Sequence, residues 1–472
     1  MLFDLIPFSL LVTVFTIAVI FVGVLTAVAY LTLLERKVSA WVQDRVGPNR
    51  TGFDFGQPWL KFLRGFFGLG QPLADGVKFL LKEDVVPGYV DRVFYYLAPM
   101  IAVGTALLAL AVVSVGDTPV PPVLQTLSAN SSSADSPRRV FPATKSELAA
   151  MNSTTNLSDV RAGYVQYNNL STIKFAIAPN VDIGFLFVFA IGGLAVYGIV
   201  LGGWSSNNKY SLLGSLRSSA QVISYEIPMG LSVLGVLVMV GSLNLERVVD
   251  WQARHGWLIA YQPLAFVLFL TAIFAECNRL PFDLPECEQE LVGGYHTEYS
   301  SMKFALFFLG EYTHMITTSF LTAALFMGGW HLPWLNDWLS PSMTGNFDLS
   351  YLFALLIKLA VFVAKMFVVI ALFMLVRWTI LRFKFDQLMA LAWKGLMPLG
   401  LMSLLGVVIS RQFIPPGMGQ WGFQCAFGLV SLVIVGVVSL LLPTEAPKTV
   451  LSISRGRSHS ATSAPELASR AS

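Results

Sequence analysis

From Leu5 to Leu34 thirty residues pass without one charged side chain, and a helix needs only roughly 20 apolar residues to cross a bilayer. Comparable runs recur at Val93–Val115, Ile183–Trp204, Ser219–Leu245, Trp257–Ala275, Phe304–Gly329, Leu349–Val376, about Leu388–Ile409 and Phe423–Leu442. Backbone polar groups in hydrocarbon must be satisfied within the segment itself, so each run predicts a helix. The expected fold is an all-α integral membrane protein with nine spanning helices. Only 12% of residues are charged, against roughly 25% in a soluble chain, so no separate soluble domain is expected. The N-terminal MLFDLIPFSL carries Asp4 and no basic region, and no cleaved signal is read from it.

Charge sets the orientation. Lys and Arg number 21 in the segments after helices one, three, five, seven and nine, and 8 on the opposite side. Positive charge stays on the cytoplasmic face, so the N-terminus is expected outside and the C-terminus inside. Four regions follow. Residues 1–115 hold helices one and two with a long inner loop, and 116–180 form a polar, Ser/Asn/Pro-rich outer insert expected to be mobile. Residues 181–442 carry helices three to nine, and 443–472 are a polar tail expected to be disordered on the inner side. Within the first inner loop, Leu73, Val77, Leu80 and Leu81 fall on one helical face, with Asp75, Lys78 and Lys82 on the other. Such a helix lies in the membrane interface, either as a lipid anchor or as a gate for an amphiphilic substrate.

The net charge of +3 gives no reason to expect a nucleic-acid partner. Cys277, Cys287 and Cys425 form no CxxC pair, and the histidines no HExxH, so a haem, an iron–sulfur cluster or another metal held by this chain alone is not expected. The chemistry lies in acids. Glu276, Asp283, Glu286, Glu288, Glu290 and Glu298 crowd the loop between helices five and six. Glu226 lies within helix four, Glu311 within helix six beside His314, and Lys358 and Lys365 two turns apart in helix seven. Ionisable groups at membrane depth are costly and by default functional. Burial shifts them toward neutrality, which suits a relay of protonatable groups along a hydrated path; the alternative is a set of structural ion pairs.

The motifs ERK (35–37), RVGPNR (45–50), QPLADGVKFLLKE (71–83), SLRSSAQVISYEIP (215–228), AECNRLPFDLPECEQELVGGYHTEY (275–299), GEY (310–312) and RFKFDQLMALAWK (382–394) resemble those of the H subunit of NADH:quinone oxidoreductase. In mitochondria this membrane component of respiratory complex I is called subunit 1. The resemblance implies an eight-helix core, here with one further C-terminal helix, in a bacterial plasma membrane or a mitochondrial inner membrane. It implies quinone as substrate, entering between helix one, the interfacial helix and helix six, in a chamber completed by peripheral-arm subunits. Nothing would be bound covalently; iron–sulfur clusters, FMN and NADH would sit on partner subunits, and small and antiporter-like membrane subunits would adjoin. Carried over by position, the proton path would comprise Glu226, Glu276, Asp283, Glu286, Glu288, Glu290, Glu298, Glu311 and Lys365. Arg36, Arg45, Arg279 and Arg377 would line the quinone chamber and its cytoplasmic opening. Leu381, Lys384 and Phe385 depart from the family pattern, which has Pro, Arg and Tyr there. The rival readings are the membrane arm of an energy-converting hydrogenase and a free-standing ion transporter.

Overall fold

The computed structural model describes residues 8–52, 67–112, 117–119, 172–174, 181–284, 292–332, 349–413, 427–431 and 433–436. Its helices are α1 (Phe8–Val42), α2 (Gln71–Leu81), α3 (Arg92–Ala109), α4 (Gly184–Ser205), α5 (Lys209–Val240) and α6 (Leu245–His255). The short α7 (Leu258–Tyr261) is followed by α8 (Pro263–Glu276), α9 (Ser301–Phe326), α10 (Leu349–Thr379), α11 (Phe385–Ala390) and α12 (Met397–Phe413). A three-residue antiparallel ladder, Asp117–Pro119 with Thr172–Lys174, joins the two ends of the outer insert. The rest of that insert, the C-terminal tail and most of the ninth expected span lie outside the described residues.

Six described helices are long and apolar enough to cross a membrane: Ile17–Val42, Arg92–Val112, Gly184–Ser205, Lys209–Val240, Leu356–Thr379 and Phe385–Gln412. The fifth expected span is interrupted. Gln262 leaves helical geometry (φ −132°, ψ 66°) and Pro263 opens α8, which is only 14 residues long. The sixth, α9, has 26 residues but is too polar for the same criterion. It is the inner helix, packed against α1, α3 and α10. Thr313, Thr317, Thr318, Ser319 and Thr322 are buried along it, each hydroxyl donating to a carbonyl one turn back. The fourth span begins at Lys209 rather than Ser219, because Ser211, Gly214, Ser215 and Ser218 are buried against protein and not against lipid. The eighth is continuous through a π-helical turn, Leu391–Leu396, between α11 and α12.

Without water to drive association, helices in a membrane meet through small residues. Gly198 and Gly202 of α4 face α3, and a Cβ at 198 would sit 3.0 Å from the Ala102 nitrogen and 3.1 Å from the Ala98 carbonyl. Gly198→Leu is therefore expected to destabilise by about 1–3 kcal/mol through overpacking. A lowered unfolding midpoint in detergent would show it; an unchanged midpoint contradicts this packing.

The helix expected over residues 73–81 forms as α2, and it has no buried residue. Its apolar face is open, with Leu80 67% and Leu81 81% exposed. Asp75 pairs with Arg36 of α1 at 2.7 Å. On the other side, Ser301 at the start of α9 donates to the carbonyls of Phe79 and Lys82 at 2.9 and 3.0 Å. These contacts hold α1, α2 and α9 side by side at the end of the bundle where α9 begins.

Candidate functional site

Glu35 lies two turns before the end of α1 and is 9% exposed. Its carboxylate accepts from Arg279 Nη1 at 3.3 and 3.4 Å and is also contacted by Arg377 of α10 and by the Tyr312 hydroxyl of α9. The Arg279 guanidinium lies 4.3 Å from the centre of the Tyr312 ring. One carboxylate thus joins α1, α9, α10 and the loop after α8. That loop is held from two sides. Gln221 of α5 donates to the Ala275 and Phe282 carbonyls, both at 2.7 Å, and to Asn278 Oδ1 at 3.3 Å. Arg382 donates to the Asp283 carbonyl, and the Phe383 amide to Pro281 at 3.2 Å. Asn278 takes the left-handed conformation that turns the chain (φ 51°), one that Asn tolerates better than most residues.

Deeper in the bundle, Glu276 ends α8 and its Oε1 lies 3.2 Å from His314 Nε2 of α9. Among the described residues its buried Oε2 has no hydrogen-bond partner. Two adjacent glycines of α4 make room for acids from two other helices. A Cβ at Gly192 would lie 3.4 Å from Glu276 Oε1, and one at Gly193 would lie 3.1 Å from Oε1 of Glu226 on α5. One turn before His314, Glu311 accepts from the Tyr295 hydroxyl at 3.1 Å. A cavity of about 60 Å³ touches Glu276, Glu311, His314 and Tyr295. A second, of about 20 Å³, shares Gly192, Glu276 and His314 and is also lined by Thr105, Thr317 and Thr318. Both exceed the roughly 10–15 Å³ that a single water needs.

Toward the end where α9 begins, Asn208 donates to Glu298 Oε1 at 2.7 Å, and Tyr95 donates to the Glu298 backbone carbonyl at 2.7 Å. A hydrogen bond with Glu298 holds the exposed Tyr89 hydroxyl above its ordinary range. Tyr299 stacks on Tyr95 at 4.2 Å. Burial pushes its hydroxyl up to about 12, against the opposing pull of Ser205 and Ser206. Both phenols remain neutral donors at physiological pH.

The expected residues thus separate into groups. Glu276 and Glu311 border one cavity, Glu226 lies beside Gly193 of α4, and Arg279 and Arg377 meet at Glu35. Arg36 instead braces α2, and Arg45 is exposed beyond α1. Asp283 is half-buried in the loop. Lys365 lies elsewhere, at the end of α9, where its Nζ donates to the carbonyls of Met327, Gly329 and His331 at 2.6, 2.8 and 2.6 Å. Thirteen positions separate Met327 from His314, roughly 20 Å at 1.5 Å per helical residue. Glu286, Glu288 and Glu290 lie outside the described residues. Sequence reasoning missed Glu35, Tyr312, Tyr295 and the pairing of His314. Glu35 left a signal there as the acid of the ERK motif, Tyr312 as the tyrosine of GEY and Tyr295 within the motif over 275–299. Among the described residues no cluster of His, Cys, Asp or Glu could hold a metal ion, and Cys277 is buried against Thr318, 3.2 Å from its hydroxyl.

Residues 15–135 and 150–408 match the family model described as NADH dehydrogenase. The H subunit of NADH-quinone oxidoreductase from Leptospira biflexa is 43% identical over 82% of this chain and 91% of its own length. The corresponding protein of Deinococcus radiodurans, which bears the same name, is 41% identical over 92% and 90%. Subunit 8 of NADH-quinone oxidoreductase from Thermus thermophilus is 41% identical over 90% and 93%. Similarity of this extent, spanning every helix that builds the two clusters, shows that the chain belongs to the H-subunit family of NADH-quinone oxidoreductase, the membrane components of respiratory complex I.

Proposed function

We propose that this chain links quinone reduction in its complex to proton translocation, with α1, α2 and α9 framing the access of quinone and the interior acids carrying protons. The observation that carries this reading is the cavity of about 60 Å³ bordered by both Glu276 and Glu311. Two acids from different helices on one wet space, with Glu226 across Gly193, can exchange protons through water. Reducing quinone to quinol takes up two electrons and two protons. Negative charge arriving at the quinone draws protons from nearby acids, and clustered carboxylates titrate jointly, so a change at one is felt by the next. Asp283, Glu286, Glu288, Glu290 and Glu298 would form the inner mouth of the path. Arg279 and Arg377 at Glu35, with Arg36 and Arg45 nearer the surface, would line the opening.

Electrons would come from an iron–sulfur cluster on a peripheral-arm subunit, with FMN and NADH farther off. The open apolar face of α2 would rest in lipid, and antiporter-like subunits would receive the protons. The N-terminus would face outside and the tail inside, in keeping with the Lys and Arg distribution. The test is Glu276→Gln in the assembled complex, with Glu298→Gln and Asp283→Asn at the mouth. A positioned proton-transfer group is worth about 10²–10⁴-fold, so quinone-linked turnover should fall by at least about 100-fold in Glu276→Gln and less at the mouth. NADH oxidation by a hydrophilic acceptor should be intact. Full turnover and pumping in all three variants would remove the proposal.

A further inference from the structure

The interior acids share one base. His314 of α9 meets Glu276 Oε1 at 3.2 Å and borders both cavities. We propose that His314 is the positioning and proton-exchanging partner of Glu276, holding it in place and passing protons between the Glu311 side of the cavity and the Glu226 side. This rests on the acid-path reading above. Like charges in low dielectric disfavour one another, a cost that acids gathered inside the bundle carry when ionised together. A base paired with the middle acid changes that, because imidazolium with carboxylate and imidazole with carboxylic acid carry the same net charge. The proton can cross the pair without creating an isolated buried charge.

The steps balance in protons, and no electrons move. A proton leaving Glu311 through cavity water binds the imidazole while Glu276 is ionised. The Nε2 proton passes to Glu276 Oε1, leaving neutral imidazole and a carboxylic acid. Glu276 then releases a proton toward Glu226, the two acids lying against the adjacent glycines Gly192 and Gly193. The surroundings of His314 leave it that role. Around the same cavity stand Glu311 from α9, Glu276 and Cys277 from α8 and its end, and Tyr295 from the turn before α9, with Glu226 of α5 beside Gly193. In the cavity walls α3 and α4 supply apolar surface and the Thr105 hydroxyl.

The experiment uses the assembled complex in native membranes carrying His314→Gln, which keeps an N–H donor near Glu276 and cannot titrate. Expected are about a tenfold loss of quinone-linked turnover at neutral pH and a pH profile of turnover that differs in shape from that of the wild type. Hydrophilic-acceptor activity should be unchanged. If His314→Gln assembles poorly, His314→Gly decides: recovery of turnover with added imidazole supports the inference, and no recovery overturns it. Wild-type turnover and a pH profile of wild-type shape in His314→Gln also overturn it. If Glu276→Gln is impaired while His314→Gln behaves as wild type, only the role of His314 falls; if Glu276→Gln is silent, the acid path falls with it.

Discussion

Glu35→Ala should be among the most damaging single changes in this chain, costing about 3–5 kcal/mol, the range seen when a buried ion pair loses one partner. The pair itself contributes less than that. Desolvating two guanidiniums and a carboxylate offsets most of their attraction, and the penalty arises because Arg279 and Arg377 keep their burial after Glu35 is gone. The Tyr312 hydroxyl loses its acceptor in the same step. Since α1, α9, α10 and the loop after α8 meet at this carboxylate, the loss should loosen the opening framed by α1, α2 and α9. A drop of several degrees in the unfolding midpoint of the solubilised complex is expected, with quinone-linked turnover reduced at least tenfold. Glu35→Gln keeps an acceptor without the charge and should fall between. A Glu35→Ala complex that melts with the wild type would mean that the two arginines find other partners at no cost.

Lys365→Met is the second, with an expected loss on the order of 3 kcal/mol from leaving three carbonyls without their shared donor. The chain turns sharply after α9 through Gly328 and Gly329, both with positive φ (73° and 54°), a conformation that disfavours side chains. Those turns aim the carbonyls of Met327, Gly329 and His331 at one point, and the lysine fills it, 5.1 Å from the Trp257 ring. Gln252 of α6 completes the same latch, donating to the Ala324 carbonyl at 2.7 Å and accepting from the Gly328 amide at 3.0 Å. Lys365→Met should therefore lower the unfolding midpoint while the pH dependence of the remaining turnover stays unchanged. A shifted pH profile with normal stability would instead assign Lys365 to the proton path.

These two residues illustrate what could be read in advance. Lys358 and Lys365 were legible as charges inside a span, and the costliness of such charges marked them as functional. Whether Lys365 faces an acid or a row of carbonyls depends on where α9 ends against α10, which no local pattern encodes. Helix ends followed the same division. The break at Pro263 passed unread inside the run Trp257–Ala275, and the first turns of α5 from Lys209 were hidden, because the Ser and Gly residues there look like a loop until a neighbouring helix covers Ser211, Gly214, Ser215 and Ser218. The run Phe304–Gly329 was legible as a helix, but that its threonine hydroxyls are buried and satisfied by the helix's own carbonyls was not.

What the amino-acid order determined alone is the membrane class, the approximate course of the apolar helices, and the concentration of carboxylates at one loop and two intramembrane positions. Each of these follows from the length of a hydrophobic run or the cost of a charge within it, and both act over neighbouring residues. Only the tertiary structure decided that Glu35 meets Arg279, 244 positions away, that His314 faces Glu276, and that Gly192 and Gly193 leave room for acids from α8 and α5. Helices that are apolar on every side carry no marked inward face. Which side turns inward is settled by the fit of small residues and buried polar partners on other helices, and that information is spread along the whole chain.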